Sequence, residues 1–474
     1  MSRGTVTAGD GPVFLGEPLS LETSLPDEGF ELSLLSDVSE QFVVPFVGSA
    51  SGFSSVINLA NTILGPGLLA LPYCLMRSGW AVGIFALLLM VVIGSFSFYL
   101  LSFVADTLQI YEYAAIATKL YNRHVGRLVG VLSLALTGGL ISSFMVMIRE
   151  NMFFFSYNPD YEWASRVLLI GLAFLVILPL TLTRNLSSLW ITSFVSLGCM
   201  LYIGGVLTVF YLLSTTGKVT PIAKGPLRAA VPSIDAVMAV ASLTMSYCGH
   251  YNSINIYREL KVRSLRKMTG IVVSTAIICT AINLISGVFG YLMFTDRCEA
   301  DIIMNLGEYK PARVCSWIAN VCVILILMLS YPVVCFSFRR SLENLIFHAE
   351  FVQRKWIILI SIATVMASTV IGCMVTDVGF ILDITGILSG LPLVFIFPSL
   401  YAYTLLSKRS RYNTTRSTAA VRERQEEAFS LLKIRPRHIT ALKNAALTSL
   451  IVGVVIFATA TTCLFYTIGT QGIS

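Results

Sequence analysis

From residue 51 onward, long apolar runs alternate with short polar ones. Eleven runs approach the roughly 20 residues needed to cross a bilayer. They lie at about 51–76, 80–104, 127–149, 166–183, 190–213, 233–257, 268–294, 314–338, 356–375, 378–404 and 444–468. Backbone polar groups in lipid must be bonded within their own segment, so each run is predicted to be a helix. The first 47 residues break the pattern. They are polar and rich in Ser, Gly and Pro, and lack the basic-then-apolar order of a signal peptide, which predicts a disordered tail. The organisation read from the pattern is a tail (1–47), a ten-helix core (48–404), a basic loop (405–443) and an eleventh helix with the C-terminal segment (444–474).

Composition narrows the class. Hydrophobic residues make up 55% of the chain and charged residues 12%, against about 25% charged in soluble domains. So few charges cannot cover a water-facing surface of this size, which excludes a soluble enzyme, a nucleic-acid binder and a disordered scaffold. An all-α polytopic membrane protein in contact with lipid remains.

Charge then sets an orientation. The net charge is +7, yet residues 1–47 carry eight acids and one basic residue, Arg3. With the N-terminus in the cytosol, 24 Lys and Arg fall on the cytosolic side and 9 on the other, as the positive-inside rule requires. Eleven crossings place the C-terminus outside or in a lumen, and the basic excess needs no nucleic acid. The sequons at Asn185 and Asn413 fall on the cytosolic side, so neither is expected to carry sugar. The acidic dileucine pattern Glu427 to Leu432 leaves the plasma membrane and a vacuolar or lysosomal membrane both open. Cys298 and Cys315 bracket an external connection, where a disulfide is a candidate.

The chemistry lies where helices are interrupted. The first run contains Asn58-Leu59-Ala60-Asn61-Thr62-Ile63-Leu64-Gly65-Pro66-Gly67-Leu68. A mid-helix Pro costs about 3 kcal/mol and each Gly about 1 relative to Ala. A lone Pro makes a kink; the Gly-Pro-Gly triplet predicts a full break. The sixth run holds Ser246-Tyr247-Cys248-Gly249-His250-Tyr251-Asn252-Ser253, a second polar interruption. His250 alone reads as a buried histidine bonded to a neighbouring helix; with Gly249, Asn252 and Ser253 beside it, a water-lined site is expected. Paired breaks five helices apart point to an inverted-repeat transporter, with repeats of about 51–213 and 233–404 and the ligand between them.

A half-helix starting near Gly67 offers free N–H groups that suit a carboxylate. Carbonyls freed at the second break suit an ammonium. No charged residue lies near either break, so a neutral amino acid is the expected small-molecule substrate. Ser330, beside Pro332 in the eighth run, adds a hydroxyl fit for a small hard cation; the alternative is a serine bonded back to its own helix. Arg258 and Glu259, at the end of the sixth run, are candidate gate charges or a solvated helix end. Asp383, an acid inside the tenth run, is a candidate proton site, as is His250.

These segments resemble the amino acid/auxin permease family, and within it the sodium-coupled neutral amino acid transporters. The first-run motif, Cys248 to Ser253 followed by Tyr257, Phe289-Gly290-Tyr291-Leu292-Met293-Phe294-Thr295, and Ser330-Tyr331-Pro332 carry the likeness. The resemblance implies a LeuT-like 5+5 inverted repeat plus an eleventh helix, and symport of neutral amino acids driven by sodium, or by protons in related branches. It implies that Gly65, Gly67 and Leu68 face the substrate carboxylate. His250, Tyr251 and Asn252 would line the side-chain pocket, and Asn61, the Leu64 carbonyl and Ser330 would face the ion. No cofactor beyond the coupling ion is implied, and nothing specifies an oligomer. In one departure, Pro66 stands where the family has a small residue with an N–H, so one carboxylate donor is missing. A sensor that binds an amino acid with little transport is the competing reading. The scattered histidines leave no support for an enzyme.

Overall fold

The computed structural model describes residues 48–65, 67–153, 162–183, 186–218, 225–233, 246–299, 301–347, 353–375, 378–414 and 436–471, with 236, 239 and 243. The tail, Pro66, Asn185, the dileucine stretch and most of the first half of the sixth run lie outside the described residues.

The described residues are helical almost throughout. The first run is two helices, α1 (Gly52–Leu64) and α2 (Gly67–Ser78), bent by 48° at the Gly65 break. Then come α3 (Trp80–Leu108), α4 (Tyr113–Leu120), α5 (Arg123–Phe153) and α6 (Glu162–Leu172). A π turn, Ala173–Ile177, carries α6 on through Leu178–Thr181. They are followed by α7 (Trp190–Thr215), α8 (His250–Glu259), α9 (Leu265–Phe294) and α10 (Ile302–Glu308). Last come α11 (Arg313–Phe347), α12 (Arg354–Met374), α13 (Val378–Thr385), α14 (Phe397–Thr414) and α15 (Pro436–Gln471). Two π turns, Gly386–Gly390 and Pro392–Ile396, join α13 to α14. Among the described residues nine helices are long and apolar enough to cross a membrane, and the bent pair α1–α2 makes a tenth.

Burial separates centre from rim. In the most apolar stretches of α5 and α11, 67% of residues are buried; in those of α6 and α15, only 28%. The first two are therefore interior helices, and the last two give most of their surface to lipid. The broken span is enclosed: α1 packs on α7, α8, α9 and α11, and α2 on α3, α9 and α10. Ser51 starts α1, accepting the Ser54 N–H while Ser54 Oγ accepts the Ser51 N–H. This reciprocal cap satisfies two of the donors that a helix start leaves free.

Two expectations change. The eighth span, expected to end near 338, runs to Phe347 as α11. Arg339 is therefore a buried interior charge and not a loop residue. It donates to the carbonyls of Thr181 (2.8 Å) and Thr183 (2.9 Å) at the end of the α6 span and lies 3.6 Å from Glu343. A buried charge is tolerated because it is paired and bonded. The candidate pair Cys298 and Cys315 stands as two free thiols, the alternative to a disulfide. Cys298 is buried with its Sγ 3.9 Å from the Gly290 carbonyl, and Cys315 sits in the first turn of α11.

Candidate functional site

The two breaks meet. A Cβ built on Gly67, the first residue of α2, would stand 3.2 Å from Ser246 Oγ. One on Gly249 would stand 2.9 Å from the Ile63 side chain and 3.5 Å from that of Thr62. Glycine at both positions lets the interrupted backbones cross at close range, which a side chain would prevent. α2 begins at Gly67, as the sequence predicts, so the Gly67 and Leu68 amides stand at the positive end of a half-helix. Gly65 caps α1 on the other side of the break. Leu64 is the last residue of α1, so its carbonyl is among those a helix end leaves without an intrahelical partner.

In the sixth span, residues 246–249 are non-helical and α8 starts at His250. The Gly249 carbonyl is taken by the Asn252 and Ser253 N–H groups, both at 3.1 Å. It opens the helix and is not available to an ammonium, so any carbonyl for that role lies upstream at 246–248.

A first hydrogen-bonded chain joins the spans. Ser330 Oγ on α11 donates to Asn61 Oδ1 at 2.8 Å, and Asn61 Nδ2 donates to Ser193 Oγ on α7 at 3.2 Å. Ser196 Oγ, one turn further along α7, lies 3.4 Å from Ser330 Oγ and 3.3 Å from the Ile326 carbonyl. Asn61, Ser193, Ser196 and Ser330 are all buried. The cluster is made of uncharged oxygens, a ligand type suited to hard cations.

A second chain runs alongside. Asn252 Nδ2 donates to Thr62 Oγ1 at 3.0 Å, and Thr62 donates to the Asn58 carbonyl at 2.8 Å. Ser337 Oγ donates to Asn252 Oδ1 at 2.9 Å and accepts from Asn255 Nδ2 at 3.1 Å. Asn252 therefore bridges α1 and α11, with both its amide nitrogen and its amide oxygen bonded to protein. Beside it the His250 ring stacks on Phe98 of α3, with centroids 3.7 Å apart and planes at 9°. His250 is fully buried, with its ring facing the Gly94 backbone on α3 and no well-formed hydrogen bond at either nitrogen. A buried polar atom without a good partner costs about 1–3 kcal/mol, so the ring is suited to a water or a ligand. Tyr251 is buried next to it.

The far end of α8 is tied shut. The Glu259 carboxylate accepts the Leu186 N–H at 2.8 Å, and Asn58 Nδ2 donates to the Leu186 carbonyl at 3.1 Å. The Glu259 carbonyl accepts the Ala50 N–H at 2.8 Å, while Lys261 N–H donates to the Ala50 carbonyl at 3.1 Å. Residues 50 and 260 thus form a parallel bridge beneath α1. Tyr257 Oη donates to Asp106 Oδ1 at 2.6 Å, fastening the same end to α3. Glu259 is buried and Arg258 half-buried. Asp383 is half-buried on α13, one turn before the first π turn of that span.

Of the residues gathered around the two breaks, the sequence singles out Asn61, Gly67, His250, Asn252 and Ser330 as candidates and does not single out Ser193, Ser196, Thr62, Ser337 and Phe98. For the two α7 serines a signal existed: hydroxyls three apart in an apolar run share one helix face.

Residues 48–421 match the family model described as transmembrane amino acid transporter protein. The chain belongs to that family. Curated relatives include a Danio rerio protein named "Putative sodium-coupled neutral amino acid transporter 11", 26% identical over 76% of this chain and 81% of its own. Its namesake in Mus musculus is 25% identical over 79% of this chain and 82% of its own. Among solved structures, an Eremococcus coleocola manganese transporter, in complex with an aromatic bis-isothiourea substituted compound, aligns with a TM-score of 0.52 at 11% identity. That alignment covers 95% of this chain and 97% of the other. The fold is thus LeuT-like, and the chain is a multi-pass membrane transporter of the amino acid class rather than an enzyme.

Proposed function

We propose that this protein is a sodium-coupled symporter of neutral amino acids working by alternating access. The observation that carries the reading is the crossing of the two breaks at Gly67 and Ser246, on the same broken span whose Asn61 bonds Ser330. The Gly67 and Leu68 amides receive the substrate carboxylate, and the 246–248 backbone receives its ammonium. Phe98, His250 and Tyr251 shape the side-chain pocket, with Asn252 holding that wall in place. A sodium ion takes Asn61 Oδ1, Ser330 Oγ and the Leu64 carbonyl, and so pulls α1 and α11 together in the substrate-loaded state. The name of the curated relatives supports sodium and a neutral amino acid. The manganese of the structural neighbour does not transfer: among the described residues no three His, Cys, Asp or Glu come together.

Orientation in this reading follows the basic residues, with the tied end of α8 facing the cytosol and the C-terminus outside or in a lumen. One cation moving down about −60 mV gains roughly 1.4 kcal/mol. A tenfold gradient adds about 1.4 more. Together they support roughly hundredfold accumulation.

A second reading, proton coupling, is favoured by one observation: a titratable ring, His250, fully buried at the break of the sixth span. Labelled glutamine and alanine uptake into proteoliposomes, under an imposed sodium gradient and then an imposed proton gradient, separates the two. Sodium-driven uptake lost in Ser330→Ala supports the first. Proton-driven uptake that survives Ser330→Ala and is lost in His250→Ala supports the second. Binding without uptake under either gradient makes the protein a sensor.

A further inference from the structure

Beside the N-terminus of α1 lies a half-open cavity of about 510 Å³. It is walled by Phe53 and Val56 of α1, by Lys261 in the connection between α8 and α9, and by Lys267, Gly270 and Ile271 of α9. Its chemistry is two-sided. Both charged residues in the lining are lysines, and no Asp or Glu is among its lining residues. Neither lysine is in an ion pair among the described residues. The opposite wall is apolar, and Phe53 is 60% exposed. Phe53 packs edge-on to Trp190, centroids 6.5 Å apart, and Trp190 is itself exposed. Exposed aromatics at the end of a span mark the depth of the lipid headgroups. A Cβ on Gly270 would meet nothing within 4 Å, so the α9 side of the cavity is open.

We propose that this groove binds an anionic phospholipid. Its phosphate sits between Lys261 and Lys267, and an acyl chain lies along Phe53, Val56 and Ile271. Basic pockets between transmembrane helices suit such headgroups. A free phosphate would leave the apolar wall unused, whereas a lipid fills both halves. The location gives the site a consequence. Lys261 carries the N–H that bonds the Ala50 carbonyl, so a lipid holding its side chain braces the bridge that closes this end of the transporter. The consequence for transport rests on the alternating-access reading above, whereas lipid binding does not.

The test reads lipid directly. The full chain is purified in mild detergent, mixed with phosphatidylglycerol and with phosphatidylcholine, and examined by native mass spectrometry. The wild type is expected to retain phosphatidylglycerol selectively. Lys261→Gln/Lys267→Gln should retain about tenfold less or lower still, because each lysine near a headgroup contributes to its capture. Gly270→Leu, which leaves every charge in place and fills the open side, should lose the lipid equally. Equal retention in the wild type and both variants would overturn the proposal. So would a wild type that retains no lipid while Lys267 reacts with an amine label only after residues 1–47 are removed. That result would assign the groove to the chain's own acidic segment.

Discussion

Ser330 Oγ donates to Asn61 Oδ1 across 2.8 Å, joining two helices whose partners are 269 residues apart in the chain. The serine is not spent on its own helix, the alternative that its position beside Pro332 left open. Both groups are buried, and neither carries charge, so the pair is held by one neutral bond worth about 1 kcal/mol net. A cation placed between them would replace that bond with two ion–oxygen contacts. Ser330→Ala is therefore expected to raise the sodium concentration for half-maximal uptake about tenfold or more, since bonds to charged groups contribute about 1.5–3 kcal/mol. Stability should fall by about 1–3 kcal/mol, because the buried Asn61 Oδ1 loses its donor. Sodium titration of alanine uptake in proteoliposomes measures it, and an unchanged midpoint would remove Ser330 from the ion site.

Gly67 is tested through its neighbour. A Cβ there would stand 3.2 Å from Ser246 Oγ, tighter than ordinary contact, and 3.6 Å from Ser246 Cβ. Gly67→Val should abolish uptake, and Gly67→Ala should reduce it several-fold. If the cause is this crossing, Ser246→Gly should restore part of the Gly67→Ala loss. The double variant then departs from additivity, as contacting residues do. Additive losses would mean that Gly67 matters for another reason.

How much of this site could be read from sequence follows from what an interruption costs. Gly-Pro-Gly and the polar stretch 246–253 stand out because apolar spans tolerate neither without a purpose. Gly67, Gly249, Asn61 and Asn252 were legible for that reason. Ser193 and Ser196 share a helix face by their spacing, but spacing alone does not say what that face meets, because a hydroxyl in a membrane helix is often satisfied by its own preceding turn. Only packing reveals that α7 turns these two toward Asn61 and Ser330. Ser337 was hidden in the same way. The long α11 was misjudged at its end because Arg339 reads as a stop to a span. Its pairing with Glu343 is local to the helix, but the Thr181 and Thr183 carbonyls that take its other bonds belong to a span remote in sequence.

Glu112 offers a pH test outside the spans. Its side chain caps α4, accepting the Ala114 N–H at 3.1 Å and also that of Ala115. Burial nevertheless lifts its carboxyl above the ordinary value of 4.5, with the cap amides, Asn344 and Arg340 pulling the other way. The folded protein therefore holds this proton more tightly than the unfolded chain does. Stability from this group is present below about pH 4.5 and is lost as pH rises through the elevated value. Glu112→Gln removes the titration while keeping an acceptor. The Tm of the wild type relative to the variant, measured in detergent, should fall between pH 4.5 and pH 7. Parallel Tm curves would show that Glu112 does not titrate in that range.

The closed end of α8 makes the last prediction. One buried carboxylate, Glu259, holds the Leu186 N–H at 2.8 Å, and its carbonyl holds the Ala50 N–H at the same distance. Breaking the first contact removes a charge-assisted bond of about 1.5–3 kcal/mol. That energy shifts a closed–open equilibrium roughly ten- to hundredfold toward open. Gly48 reaches the same latch through sterics: a Cβ there would stand 2.3 Å from the Glu259 carbonyl oxygen, so Gly48→Ala should loosen it without touching the charge. Cys248, buried in the break above, reports on the opening. Its labelling by a membrane-impermeant thiol reagent applied from the cytosolic side should rise at least tenfold in Glu259→Ala and rise in Gly48→Ala. The added signal should vanish when Cys248→Ala is combined with either. Accumulation should fall in step, since a transporter leaking toward the basic side cannot hold its gradient. Labelling that stays at the wild-type level in both variants would leave Glu259 a structural tie with no part in gating.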